Sequence, residues 1–154
     1  MDFQLSLQNE SVASVEPADP LAATCDATIG LVLELMRTQH VGVVLLFEDD
    51  RLAGIFTERD ALRAMHSGLD LAAPVSTVMS TEVVTLNDAA SVGEAIRTMS
   101  EGGYRHLPIL NSQGQPSGVL MVQGIVHYLV ELFPDTVYNL PPTSSEAQAA
   151  REGA

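Results

Sequence analysis

The chain is expected to fold as an α/β (α+β) protein made of two copies of one unit. Three observations carry that expectation. First, residues 26–65 and 88–129 repeat one pattern at an offset of about 63 to 64 residues: Ile29, Gly30, Leu33 and Met36 match Val92, Gly93, Ile96 and Met99, and Gly54, Ile55 and Phe56 match Gly118, Val119 and Leu120. Second, within each copy the apolar spacing alternates between helical periodicity and short runs of strand length. Third, hydrophobic residues make up 46% of the 154 residues, enough to give each copy a buried core.

The elements follow in order. Near the N-terminus "FQLSL" alternates apolar and polar residues, which predicts a short strand or extended arm. In copy one, Ile29, Val32, Leu33 and Met36 share one face of an amphipathic helix. An apolar strand over 43–47, the polar turn "EDDR", a second strand over 52–56 and a helix over 58–66 complete it. Copy two opens with an extended piece over 82–86. Its first helix starts at a capping box of Ser91 and Glu94, carries Val92, Ala95, Ile96 and Met99 on one face, and stops at Gly102-Gly103. Strands over 106–110 and 117–121 flank the turn "NSQGQP", and a helix over 123–133 closes the unit. The order is β-α-β-β-α, twice. The chain divides into an N-terminal arm (1–14), a first repeat (15–70), a linker and second repeat (71–134), and a flexible, Pro-rich tail (135–154).

Composition excludes several classes. The formal net charge is −13, and all seven basic residues are arginine. Without lysine there is no Schiff-base or P-loop chemistry, and the acidic balance argues against nucleic-acid and anionic-membrane partners. No apolar run reaches the roughly 18 residues of a membrane span. "MDFQLSLQNE" lacks the basic start of a secretory signal, so a cytoplasmic location is expected. Cys25 is the single cysteine and reads as a small buried residue. No His/Cys cluster has metal-ligand spacing, and neither a G-x-S-x-G elbow nor a nucleophile–base pair is evident, so the chain is not expected to be an enzyme.

Two stretches carry the candidate chemistry. In "GIFTERD", residues 54–60, Thr57 and Asp60 have the spacing of a helix cap, and the same spacing can hold a ribose and a phosphate. In "YRHLP", residues 104–108, Arg105 and His106 stand side by side in an otherwise acidic chain; arginine suits bidentate phosphate contact and histidine can add a donor. A strand–glycine–Thr-x-x-Asp–helix unit, doubled at this interval, resembles the cystathionine-β-synthase (CBS) domain, and two copies in one chain resemble a Bateman module. The resemblance rests on "HVGVVLLFEDDRLAGIFTERD" and "GGYRHLPILNSQGQPSGVLMVQG" and covers residues 15–133.

That resemblance implies two repeats packed by pseudo-twofold symmetry, with two clefts between them and dimerisation into a flat disk. In one cleft it assigns Asp60 to the ribose hydroxyls and Thr57 to the ribose or phosphate. Arg105 and His106 fall to the phosphate, Arg59 is within reach of it, and Val83, Val84 and Thr85 supply a platform for adenine. Tyr104, Leu107 and Pro108 complete the facing strand. In the other cleft Met121 and Gly124 stand where Thr57 and Asp60 would, and Gly42 and Val43 where Arg105 and His106 would. That cleft is expected to be closed, apolar or used by something other than a nucleotide, leaving one ligand site per chain. The helix "GIVHYLVELF" is apolar nearly all round, which predicts that it is covered, by a second chain at an interface or, as the alternative, by the N-terminal arm or the tail. His127 is expected in that interface or the core, and His40 and His66 at the surface.

The expected function is a regulatory or sensor module that binds an adenosine nucleotide (AMP or ATP, with ADP, NAD or S-adenosylmethionine also open) and modulates an unknown protein partner as a homodimer. It requires no cofactor. The alternative is a ligand-free dimeric adaptor for protein interaction, in which Thr57 and Asp60 only cap a helix.

Overall fold

A computed structural model describes residues 3–132. Helix α1 (Phe3–Asn9) and a 3-10 turn (Val12–Val15) come first. They are followed by β1 (Ala22–Thr24), α2 (Ile29–Gln39), β2 (Val43–Glu48), β3 (Arg51–Thr57) and α3 (Glu58–His66). After a second 3-10 turn (Val75–Thr77) come β4 (Leu86–Asn87), α4 (Val92–Gly102), β5 (His106–Leu110), β6 (Pro116–Met121) and α5 (Val122–Leu132). The β-α-β-β-α order thus occurs twice. The expected tail over 135–154, and Phe133 of the last helix, lie outside the described residues.

Each repeat forms a three-stranded sheet, ordered β1-β2-β3 and β4-β5-β6. The first pair in each is parallel and the second antiparallel. The apolar runs are explained by burial on both faces. Along β2, Val44 and Leu46 face the first repeat's own core, whereas Val43 and Leu45 join Ile55 and Val119 in a seam shared by the two sheets. Phe56 and Ile55 divide in the same way on β3, as do Leu120 and Val119 on β6.

The segment ahead of each repeat covers the other repeat. Val75, Val78 and Met79 of the linker pack into the first repeat's core, while Val12 and Val15 belong to the second repeat's core. Backbone bridges seal both covers: Ser80 pairs with Ile55, and Ala18 pairs with Val119. Both approaches need a glycine beneath them. A Cβ on Gly54 would lie 2.5 Å from the Met79 sulfur, and one on Gly118 would lie 2.8 Å from Pro17 Cβ.

Two local readings need correction. "FQLSL" is part of a helix, not a strand, because Leu7 packs against the second repeat's core and the backbone of α1 runs close to Gly93 on α4. The capping box at Ser91 is half-formed: Ser91 Oγ accepts from the Glu94 amide at 3.1 Å, but no reciprocal Glu94 bond accompanies it. Of the two places expected for His127, the core is not where it lies: it is exposed on the single chain, as an interface residue would be, and pairs with Glu131 at 3.0 Å. His40 and His66 are exposed, and Cys25 is buried. Burial and the carboxylates of Glu48 and Asp26 raise the Cys25 thiol above its ordinary pKa, so it is not a ready thiolate.

Candidate functional site

The end of β3 and the start of α3 build one wall of a cleft of about 270 Å³. Thr57 is the N-cap of α3. Its Oγ1 accepts from the Asp60 amide at 3.4 Å, and its own amide donates to Asp60 Oδ2 at 2.9 Å, closing a full capping box. Thr57 Oγ1 also donates to the same carboxylate oxygen at 3.1 Å. Asp60 is only 5% exposed, the one charged side chain buried among the described residues. Its remaining oxygen, Oδ1, accepts from the Ser80 hydroxyl at 2.9 Å. Burying a carboxylate is costly unless donors surround it, and here three do.

That count matters for a ligand. A carboxylate offers about four lone-pair sites. Thr57 takes both on Oδ2 and Ser80 one on Oδ1, so the carboxylate keeps room for one further donor.

Across the cleft stand Gly103, Tyr104, Arg105 and His106, from the end of α4 and the start of β5; Arg59 and Arg63 extend from α3. Three of the chain's seven arginines therefore converge here in a molecule of net charge −13. Among the described residues the ion pairs are Arg37 with Glu34 and His127 with Glu131, so no carboxylate neutralises these three within 4.0 Å. Glu58 and Glu82 also line the cleft. Burial holds His106 below the ordinary histidine pKa; Glu58 pulls it back up and Arg105 pushes it further down. His106 is thus a neutral donor or acceptor at pH 7.

Of the residues singled out in the sequence, Thr57, Arg59, Asp60, Tyr104, Arg105 and His106 line this cleft. Val83, Val84, Thr85, Leu107 and Pro108 do not. Leu107 is fully buried in the second repeat's core, where Val84 also packs, and Val83 sits against the seam between the sheets. Pro108 is buried opposite Val119. Sequence reading missed Arg63 and Ser80. Arg63 follows Arg59 by one helical turn, so the helical period placed both on one face. Ser80 carried no comparable signal, because it meets Asp60 only through the linker's bridge to β3.

The pseudo-equivalent cleft is smaller, about 100 Å³, and is lined by Ala18, Asp19, Leu21, His40, Val41, Gly42, Val43, Val119 and Met121. Its wall is mostly apolar, as expected. Met121 replaces Thr57 and Gly124 replaces Asp60. The bridge residue Ala18 replaces Ser80.

No described helix is long and apolar enough to cross a membrane, and no group of three His, Cys, Asp or Glu among the described residues could hold a metal ion.

Comparison with known proteins places the fold. The CBS-domain family model matches twice, over residues 12–67 and 75–131. The chain is 38% identical over 101 residues to the CBS domain-containing protein YhcV of Bacillus subtilis, covering 65% of this chain and 66% of that one. It spans less than two thirds of the length of the curated relatives it matches, from 66% of that protein down to 21% of an inosine-5'-monophosphate dehydrogenase of Thermoplasma acidophilum. Among solved structures, it superposes on the CBS-domain containing protein ATU1752 of Agrobacterium tumefaciens with TM-score 0.70 and 24% identity, over 77% of this chain and 98% of that chain. It superposes on the CBS domain protein PAE2072 of Pyrobaculum aerophilum, complexed with AMP, with TM-score 0.69 and 25% identity, over 79% and 98% respectively.

Proposed function

The chain belongs to the CBS-domain family and carries the domain twice, and from that premise we propose that it is a regulatory module that binds an adenosine nucleotide in the Asp60 cleft and signals occupancy to a protein partner. The observation that carries this reading is the convergence of Arg59, Arg63 and Arg105 on the cleft that holds the buried Asp60. An acidic chain repels anions in general, so a local cluster of unpaired arginines is a specific provision for one. Arginine forks match phosphate oxygens. Asp60 supplies an acceptor for a ribose hydroxyl. That a CBS-domain neighbour of similar fold is complexed with AMP supports an adenosine ligand. The cleft volume of about 270 Å³ lies at the lower edge of the roughly 300–1,000 Å³ usual for small-molecule sites, so part of the nucleotide stays open to solvent.

The cleft lies between the repeats and takes in Ser80 of the linker, so a ligand there touches both repeats and the segment joining them. It acts by binding one arrangement of these parts better than another. No catalytic role is assigned to the module. Leu62 and Met65 on α3 and Val122, Val126 and Leu132 on α5 are exposed large apolar side chains. We assign them to a homodimer contact, which light scattering of the purified chain would test.

One observation favours the ligand-free adaptor: Thr57 and Ser80 already satisfy the buried faces of Asp60 without any ligand. Thermal melting with AMP, ADP, ATP, NAD and S-adenosylmethionine separates the two. A melting temperature that rises with an adenosine nucleotide in the wild type, and not in Asp60→Ala, supports the sensor. A flat response to all five at millimolar concentration leaves the adaptor.

A further inference from the structure

Resting on the nucleotide reading above, we propose that Ser80 is a second ribose-reading residue of the Asp60 cleft. Asp60 has one lone-pair site left once Thr57 and Ser80 are bonded, so it can take one ribose hydroxyl and not both. The Ser80 hydroxyl spends its single proton on Asp60 Oδ1 at 2.9 Å. Its two lone pairs are then free, and Ser80 lines the cleft beside Asp60. It therefore offers an acceptor, polarised by the carboxylate it donates to, for the second hydroxyl of a vicinal diol.

The position is fixed rather than incidental. The Ser80 amide donates to the Ile55 carbonyl and the Ile55 amide to the Ser80 carbonyl, both at 2.9 Å, which fixes Ser80 on the outer edge of β3. The two repeats supply an internal control. Ala18 makes the same bridge to Val119 in the other cleft. There the carboxylate position is Gly124 and the hydroxyl is absent as well. The bridge itself does not require a serine; the hydroxyl is present where the carboxylate is.

The test is calorimetric titration of wild type, Ser80→Ala and Ser80→Thr with AMP and with its 2′-deoxy and 3′-deoxy forms, and with the ATP series in parallel. Ser80→Ala is expected to weaken the ribonucleotide about 5-fold, the scale of one net hydrogen bond. One of the two deoxy forms, the one lacking the hydroxyl that Ser80 accepts, should bind wild type and Ser80→Ala within about 2-fold of each other. Ser80→Thr keeps a hydroxyl and is expected to restore ribonucleotide affinity. If Ser80→Ala weakens ribo and deoxy forms by the same factor, Ser80 only orients Asp60 and the inference is overturned. Unchanged affinity for the ribonucleotide overturns it too. If no adenosine nucleotide binds wild type, the nucleotide reading itself fails and takes the inference with it.

Discussion

The two clefts occupy equivalent places between the same two sheets, yet they differ at each position that could hold a nucleotide. One has Thr57, Asp60 and Ser80 on one wall, with Arg105 and His106 opposite. At the equivalent positions of the sequence stand Met121, Gly124 and Ala18, with Gly42 and Val43 opposite, and all of these but Gly124 line the second cleft. Helix α5 starts after Met121, a residue unable to cap by hydrogen bonding, so the fold can begin this helix without a capping box. The chain also closes a repeat without burying a charge at that point. The polar set in the first cleft is therefore more than the architecture demands, and a ligand supplies a reason for it.

The largest expected effect comes from removing the centre of that contrast. Asp60→Ala should weaken nucleotide binding by about 10- to 150-fold, the scale of a hydrogen bond to a charged group. It should also lower the melting temperature, since Thr57 and Ser80 both lose their acceptor. Arg105→Ala comes next. About 10-fold weaker binding of AMP or ATP is expected, with adenosine itself unaffected, because the guanidinium is assigned to phosphate alone. Equal loss for adenosine and its nucleotides would remove that assignment.

Grafting the first wall onto the second cleft sharpens the comparison further. A Cβ at Gly124 would meet Val15 at 3.8 Å, ordinary contact, so a side chain can start there without a clash. Met121→Thr with Gly124→Asp should give α5 a capping box and about 1 kcal/mol of stability by denaturant melting. It should not create a second nucleotide site, because Gly42 and Val43 offer no charge to a phosphate.

His106 provides a smaller, pH-dependent effect. Its pKa is lowered by burial, so the folded protein favours the neutral ring. That stability contribution is present above the ordinary value of about 6.5 and is lost as pH falls through the depressed folded pKa. A bound phosphate favours the charged ring instead. The affinity ratio of wild type to His106→Gln should therefore rise about 3-fold between pH 8 and pH 5.5, and comparison with the variant cancels the phosphate's own titration. A ratio independent of pH would remove His106 from the phosphate site.

The smallest effect concerns helix ends rather than ligands. Helix α4 ends on Gly103 at φ 69°, and α2 ends on His40 at φ 53°. Only the second strains a side chain, so His40→Gly is expected to be neutral to stabilising, by up to about 1 kcal/mol in a denaturant melt.

Much of this was legible in the sequence. The repeat set the element order, since each match preserved both the helical spacing and the strand–glycine–strand signal. The Thr57–Asp60 pair and Arg105–His106 stood out by residue type. What stayed hidden depended on packing between segments distant in sequence. Ser80 reaches Asp60 from 20 residues away, along a linker whose bridge to β3 has no local signature. Leu107 was included with its neighbours although strand alternation points it away from His106 and into the core. The helix at Phe3–Asn9 resembles a strand over five residues because so short a window fits either period.

The central claim is that one cleft, and not both, binds an adenosine nucleotide. Calorimetric titration of the intact chain with AMP and ATP measures it directly. One site per chain, abolished or weakened by at least about 10-fold in Asp60→Ala, is the result predicted. Two equal sites per chain, or binding unchanged in Asp60→Ala, would contradict it.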